Sequence, residues 1–105
     1  MSLQVRTSIQ DAIAVVSVEG EVDVSNAGEL RDALEAAAMA ADGTAQSVTV
    51  DLAGVSYMDS TGIGVLVGAK NRANQAGASL VVANPQRNVA RVLSLLGVDR
   101  ELGLQ

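Results

Sequence analysis

Apolar and β-branched residues first recur at every second position. Leu3, Val5, Thr7 and Ile9 alternate with polar neighbours, Gln10-Asp11 offers a turn, and residues 13–18 are rich in β-branched side chains. Strand alternation on both sides of a turn predicts an opening hairpin. From Asn26 the period lengthens. Ala27, Leu30, Leu34, Ala37 and Ala41 fall on one helical stripe, with Glu29, Arg31, Asp32 and Glu35 off it. Asn26 with Glu29 three residues on makes a capping-box-like start, and Asp42-Gly43 the predicted stop.

Ser47-Val48-Thr49-Val50-Asp51-Leu52 predicts a buried strand, followed by a loop through Tyr57-Met58-Asp59. A second helix fits from Ser60 or Thr61 to Ala76, with Ile63, Leu66, Val67 and Ala73 inward and Lys70, Asn71, Arg72 and Gln75 toward water; Gly77 stops it. Leu80-Val81-Val82-Ala83 predicts another strand. Asn84-Pro85 predicts a helix start, because proline at the first helical position gives up no needed N–H. Val89, Val92, Leu93 and Leu96 supply that helix with an apolar face up to Gly97, and residues 98–105 are too short to assign. Strands alternating with helices after a hairpin predict an α/β fold with a mixed sheet and right-handed crossovers between its parallel strands.

Composition then narrows the chemistry. The 105 residues suit one domain with one core, and that core must be aliphatic, because the chain has one tyrosine and neither phenylalanine nor tryptophan. Cysteine and histidine are both absent. Their absence removes disulfides, thiolate nucleophiles, the commonest metal ligands and every Ser-His or Cys-His pair. A net charge of −5 argues against binding a phosphate backbone, so nucleic acid is not an expected partner. The first residues lack the plan of a signal peptide, and no apolar run approaches the roughly 20 residues that span a bilayer. These features predict a soluble, cytoplasmic protein without a membrane partner.

The densest chemical feature is Met58-Asp59-Ser60-Thr61-Gly62-Ile63-Gly64, between a strand and a helix, where α/β proteins tend to place their sites. One reading makes Asp59 or Ser60 a helix cap. A second makes Ser60 a modification site, since free N–H groups and the helix dipole would stabilise a phosphate there and the added charge would alter a contact surface. A third takes Gly62, Gly64 and Gly68 as a nucleotide-binding turn. Against it, Asn84 stands where a ribose-binding acid is expected and the chain is too short for two mononucleotide halves.

Other chemistries fare worse. Asp51 as a phosphoacceptor would want neighbouring carboxylates for a divalent metal, and Asp11, in a predicted turn, does not supply them. Asp23 ends the second strand and would approach the Asp59 loop if the two strand ends are adjacent, whereas Glu19 and Glu21 read as solvated surface. A serine hydrolase lacks its histidine, and Lys70 lies over two helical turns from Ser60. No enzymatic reading, metal or cofactor is implied.

The run from Tyr57 to Gly68, Tyr57-Met58-Asp59-Ser60-Thr61-Gly62-Ile63-Gly64-Val65-Leu66-Val67-Gly68, closely resembles the phosphorylation segment of STAS-domain anti-sigma-factor antagonists of the sporulation and general-stress type. Gly20-Glu21-Val22-Asp23 resembles that family's Gly-Glu-Leu-Asp after the second strand, and the helix from Asn84-Pro85 to Leu96-Gly97 resembles its third helix. The resemblance covers nearly the whole chain and implies one STAS domain over residues 1–105, with a four- to five-stranded mixed sheet and helices packed chiefly on one side. It further implies partner switching. The unphosphorylated antagonist binds an anti-sigma factor that is also a serine kinase, sigma factor is freed, the kinase phosphorylates the serine after the motif's aspartate, and a PP2C-type phosphatase reverses the change. By that resemblance Ser60 is the acceptor, Asp59 shapes its loop, Thr61 is a neighbouring hydroxyl, Asp23 belongs to the binding surface, and Gly62 and Gly64 keep that surface low. Asn26 stands where threonine is common, and both residues can cap. Within the same family the alternative role is a module of another signalling or transport scaffold; outside it, a small nucleotide-binding protein.

Overall fold

The computed structural model describes residues 3–40 and 47–104. The hairpin forms as the alternation predicts: β1 (Gln4–Gln10) pairs antiparallel with β2 (Ile13–Val22), from Gln4↔Glu19 to Gln10↔Ile13. Helix α1 (Ala27–Ala40), strand β3 (Ser47–Met58), helix α2 (Ser60–Gln75), strand β4 (Ser79–Ala83) and helix α3 (Arg87–Leu95) follow. The sheet has four strands in the order β1-β2-β3-β4, with β2, β3 and β4 parallel, so it is mixed as expected and takes the lower of the two predicted strand numbers.

Period-2 side chains divide this sheet into two faces. Ala14, Val16 and Val18 of β2, Val48, Val50 and Leu52 of β3, and Leu80 and Val82 of β4 are all buried. The alternate positions Val15, Ser17, Thr49, Asp51 and Val81 are half-buried. Leu30, Leu34 and Ala37 of α1 and Ile63, Leu66, Ala69 and Ala73 of α2 join the same buried cluster, and the two crossover helices pack side by side. Each fully buried leucine contributes roughly 1.5–3 kcal/mol. The core is therefore a continuous aliphatic layer, as a chain almost without aromatic residues requires.

Several local expectations need correction, among them Leu96, predicted on the apolar face of the third helix but lying just past α3 and exposed. Tyr57 and Met58 belong to β3 and not to a loop, because β2 runs on to Val22 and carries the pairing to Val22↔Met58. Two register shifts, at Ser17/Glu19 and Gly20/Glu21, break the alternation that marks a strand, and Gly20 takes φ +118° at the second. Gly20, Glu21 and Val22 are accordingly the last residues of β2, as the position of Asp23 at the strand end requires, and only the placement of this motif after the strand, implied by the resemblance, is corrected. Helix α3 begins at Arg87, two residues past Pro85, because Gln86 is extended and turns its side chain to the Ala53 carbonyl, 2.9 Å away. Lys70 is half-buried instead of facing water, with Nζ donating to the Leu80 carbonyl at 3.2 Å; Val67 is only half-buried, and Ala69 takes an inward position in its place.

The unassigned C-terminal stretch also contributes. Leu102 is fully buried, and its carbonyl accepts from the Val82 amide at 2.9 Å, covering the outer edge of β4. The predicted stop of α1 at Asp42-Gly43 and the stripe residue Ala41 lie outside the described residues.

Candidate functional site

Parallel pairing brings the ends of β2 and β3 together. After Val22↔Met58 both chains leave the sheet, and the Asp59 amide donates to the Val22 carbonyl at 3.1 Å. Asp23 and Asp59 thus begin the two connections at one end of the sheet, the adjacency that the sequence left conditional.

Asp59 is the cap of α2. Its backbone is extended, and its Oδ1 accepts from the amides of Thr61 at 3.0 Å and Gly62 at 3.1 Å. A carboxylate at this position satisfies two otherwise orphaned donors and complements the positive end of the helix dipole. Ser60 is therefore relieved of the capping role. It occupies the first helical position with its side chain exposed, and Thr61 beside it is exposed too. The expectation of several free amides around Ser60 is met only in part, because Asp59 already holds two of them. That carboxylate also sits where the phosphate of a bound nucleotide would need to go, which weighs against the glycine-rich turn as a nucleotide site.

The two motif glycines do different things. A Cβ on Gly62 would lie 2.7 Å from Val22 Cγ1 and 2.8 Å from Met58 Cγ, so its absence lets α2 sit tightly against the ends of β2 and β3. A Cβ on Gly64 would meet nothing within 4 Å. Gly64 is exposed one turn beyond Ser60, and no contact among the described residues requires its bareness.

Across the junction, the β2–α1 turn is stiffened by its own side chains. Asp23 Oδ1 accepts from the Ser25 amide at 2.9 Å and from the Ser25 hydroxyl. The buried Asn26 accepts from the Asp23 amide at 2.9 Å through Oδ1 and donates to the Glu21 carbonyl at 2.8 Å through Nδ2. The hydrogen bond from the Ser25 hydroxyl, followed by that from its amide, holds the Asp23 carboxyl below the usual aspartate value, so the half-buried Asp23 is a fixed negative charge.

Sequence reasoning passed over two neighbours. Tyr57, the chain's sole aromatic residue, is 49% exposed and pairs across from Glu21, while Val24 is 77% exposed in the β2–α1 turn. An aromatic residue in a strand normally faces a core, and its direction could be read only from the register that the bulges disturb. Asp51, weighed above as an acceptor, instead accepts from the Ala53 amide at 3.0 Å and the Asn84 side chain at 3.3 Å. Among the described residues no cluster of acidic side chains could hold a metal ion, and no helix is long and apolar enough to cross a membrane.

A small mixed-sheet α/β domain that presents a serine at the start of a capped helix is thereby defined. Residues 4–105 match the family model described as the STAS domain. The chain belongs to the STAS family. It is 37% identical to the anti-sigma-B factor antagonist of Staphylococcus aureus strain NCTC 8325 / PS 47 over 98 residues, which is 93% of this chain and 88% of that protein. The crystal structure of an anti-sigma factor antagonist from Mycobacterium paratuberculosis superposes with a TM-score of 0.84 at 24% identity, covering 97% of this chain and 84% of that one. The antagonist SpoIIAA superposes in its unphosphorylated form with a TM-score of 0.79, covering 97% and 86% of the two chains, and in its phosphorylated form from Bacillus with 0.73, covering 97% and 89%. At 24% and 17% identity these three structural likenesses show the fold alone.

Proposed function

We propose that this protein is an anti-sigma-factor antagonist whose partner binding is switched by phosphorylation of Ser60. In the unphosphorylated state it binds an anti-sigma factor with serine kinase activity, and a sigma factor is released. The kinase transfers phosphate from ATP: the Ser60 Oγ–P bond forms, the bond from that phosphorus to ADP breaks, and the hydroxyl proton leaves to a base of the kinase or to solvent. A PP2C-type phosphatase hydrolyses the ester and restores the binding form. The role is regulatory binding and not catalysis by this chain.

One observation carries the proposal: capping belongs to Asp59, leaving the Ser60 hydroxyl exposed and dispensable to the fold. Phosphate can then be added without unmaking the helix start. Because Asp59 keeps the Thr61 and Gly62 amides, the roughly 1.5–2 added charges face outward beside Asp59 and Asp23 instead of being absorbed by the helix. The surface changes from a low, moderately acidic one to one that repels acidic groups and no longer fits closely. The 37% identity to a protein named for antagonising an anti-sigma factor supports the partner class, and the existence of a phosphorylated form of SpoIIAA supports the switch.

The test is equilibrium binding to the cognate anti-sigma factor. Ser60→Ala is expected to bind like wild type and to accept no phosphate, and Ser60→Asp to bind about tenfold or more weakly, the scale of an unfavourable charge in an interface. Equal binding by all three proteins would remove the charge switch.

A further inference from the structure

The outward face of α3 carries a charge pattern opposite to the rest of the surface. Val89 and Leu93 are buried, and Arg87, Arg91 and Leu95, offset from them by two residues, therefore lie on the other side of the helix. The helix holds both arginines and no acidic residue, in a chain of net charge −5. Among the described residues neither Arg87 nor Arg91 forms an ion pair. Leu95 is 79% exposed, more than any other large hydrophobic residue described, and Leu96 is 55% exposed. Arginine beside exposed leucine is a composition that suits an interface better than open solvent.

The helix that carries this face is hydrogen-bonded to the end of β3, the strand that leads into the acceptor site. Asn88 Nδ2 donates to the Ser56 carbonyl at 2.8 Å, and Ser56 precedes the exposed Tyr57. The acceptor surface itself, made of Asp23, Val24, Tyr57, Ser60, Thr61 and Gly64, is small against the roughly 20–30 residues a side of a stable interface. Building on the proposed function, we infer that α3 is the second half of the anti-sigma-factor footprint, where Arg87, Arg91 and Leu95 receive an acidic, partly apolar surface of that partner. The footprint is then dipolar. Asp23 and Asp59 face basic groups of the partner while α3 faces acidic ones, which fixes the orientation in which Ser60 reaches the kinase site.

Binding of the purified cognate anti-sigma factor at low and at high salt tests this with wild type, Arg87→Glu/Arg91→Glu, the milder Arg87→Gln/Arg91→Gln, and Leu95→Ser. The exposed positions leave folding intact, which thermal melts confirm. The double reversal is expected to weaken binding about tenfold at low salt, with the gap closing at high salt, and the glutamine pair to fall between. Leu95→Ser is expected to weaken binding about threefold at either salt. Unchanged affinity in the reversed protein, while Ser60→Asp still weakens binding, would overturn the α3 assignment alone. A wild type that does not bind the anti-sigma factor at all would overturn the proposed function and the inference together. Loss in the reversed protein of binding to phosphatidylglycerol vesicles, or of self-association, with anti-sigma-factor binding intact, would assign the face to a membrane or to a second copy and would likewise overturn it.

Discussion

The inner and outer sides of the first two turns of α2 use the same kinds of residue for opposite ends. On the inner side, Gly62 and Ile63 are buried against the ends of β2 and β3, and Gly62 is bare because Val22 and Met58 leave no room. On the outer side, Ser60, Thr61 and Gly64 are exposed, and no atom of the described residues comes within 4 Å of the position of a Gly64 Cβ. Small residues on the first side serve packing. On the second, Gly64 costs helix stability with no return from a contact among the described residues, and in the proposed function that side faces the partner.

Alanine substitutions should pull these two sides apart. The largest effect is expected for Gly62→Ala: helix propensity favours it by about 1 kcal/mol, but the contacts of 2.7 and 2.8 Å fall on a valine branch and near the base of Met58. Overpacking should dominate, with a net loss of about 1–3 kcal/mol, read as a melting temperature lower by several degrees in thermal unfolding. Unchanged or raised stability would mean that the inner side is looser than described. Asp59→Ala should cost about 1 kcal/mol through loss of the cap, measured by urea unfolding, and Asp59→Asn should restore most of it. Ser60→Ala should leave stability within about 0.5 kcal/mol of wild type, since Asp59 caps without it.

Gly64→Ala should move the other way, stabilising the isolated protein by up to about 1 kcal/mol while weakening anti-sigma-factor binding. A variant more stable and equally tight in binding would show that no partner needs the bare helix there. The smallest effect concerns Asp23. Its carboxyl is held low by Ser25, so its stabilising contribution is complete above the ordinary aspartate value and is lost as pH falls through the lowered one. In Ser25→Ala the Asp23 carboxyl should titrate closer to 3.8, followed by NMR, with stability slightly lower near neutral pH and the difference vanishing as pH falls through the lowered value.

Much of this contrast was legible beforehand because it follows periodicity. The stripes of α1 and α2 and the alternation of β1, early β2 and early β3 each announce one face, and the βα order then fixes a mixed sheet. The late part of β3 was not legible, because β3 carries an extra residue against β2 between Asp51 and Gly54 and again between Val55 and Tyr57, and its positions no longer alternate cleanly. Pro85 misled because a proline that can start a helix can equally stand in the turn before one. At the site, Asp59 and Ser60 are both good caps, so sequence could not divide the roles; hydrogen bonds from Thr61 and Gly62 do. The approach of Asp23 to Asp59 likewise depends on strand register, which the linear order does not specify.

In the proposed switch Ser60, freed from capping, is the phosphate acceptor. The most direct test is intact-mass and site-mapping spectrometry after incubation with ATP and the cognate serine-kinase anti-sigma factor, with Ser60→Ala alongside. A single phosphate on Ser60 in wild type and none in the variant is expected. A phosphate on Thr61 or elsewhere, or none with a folded substrate and an active kinase, would contradict it.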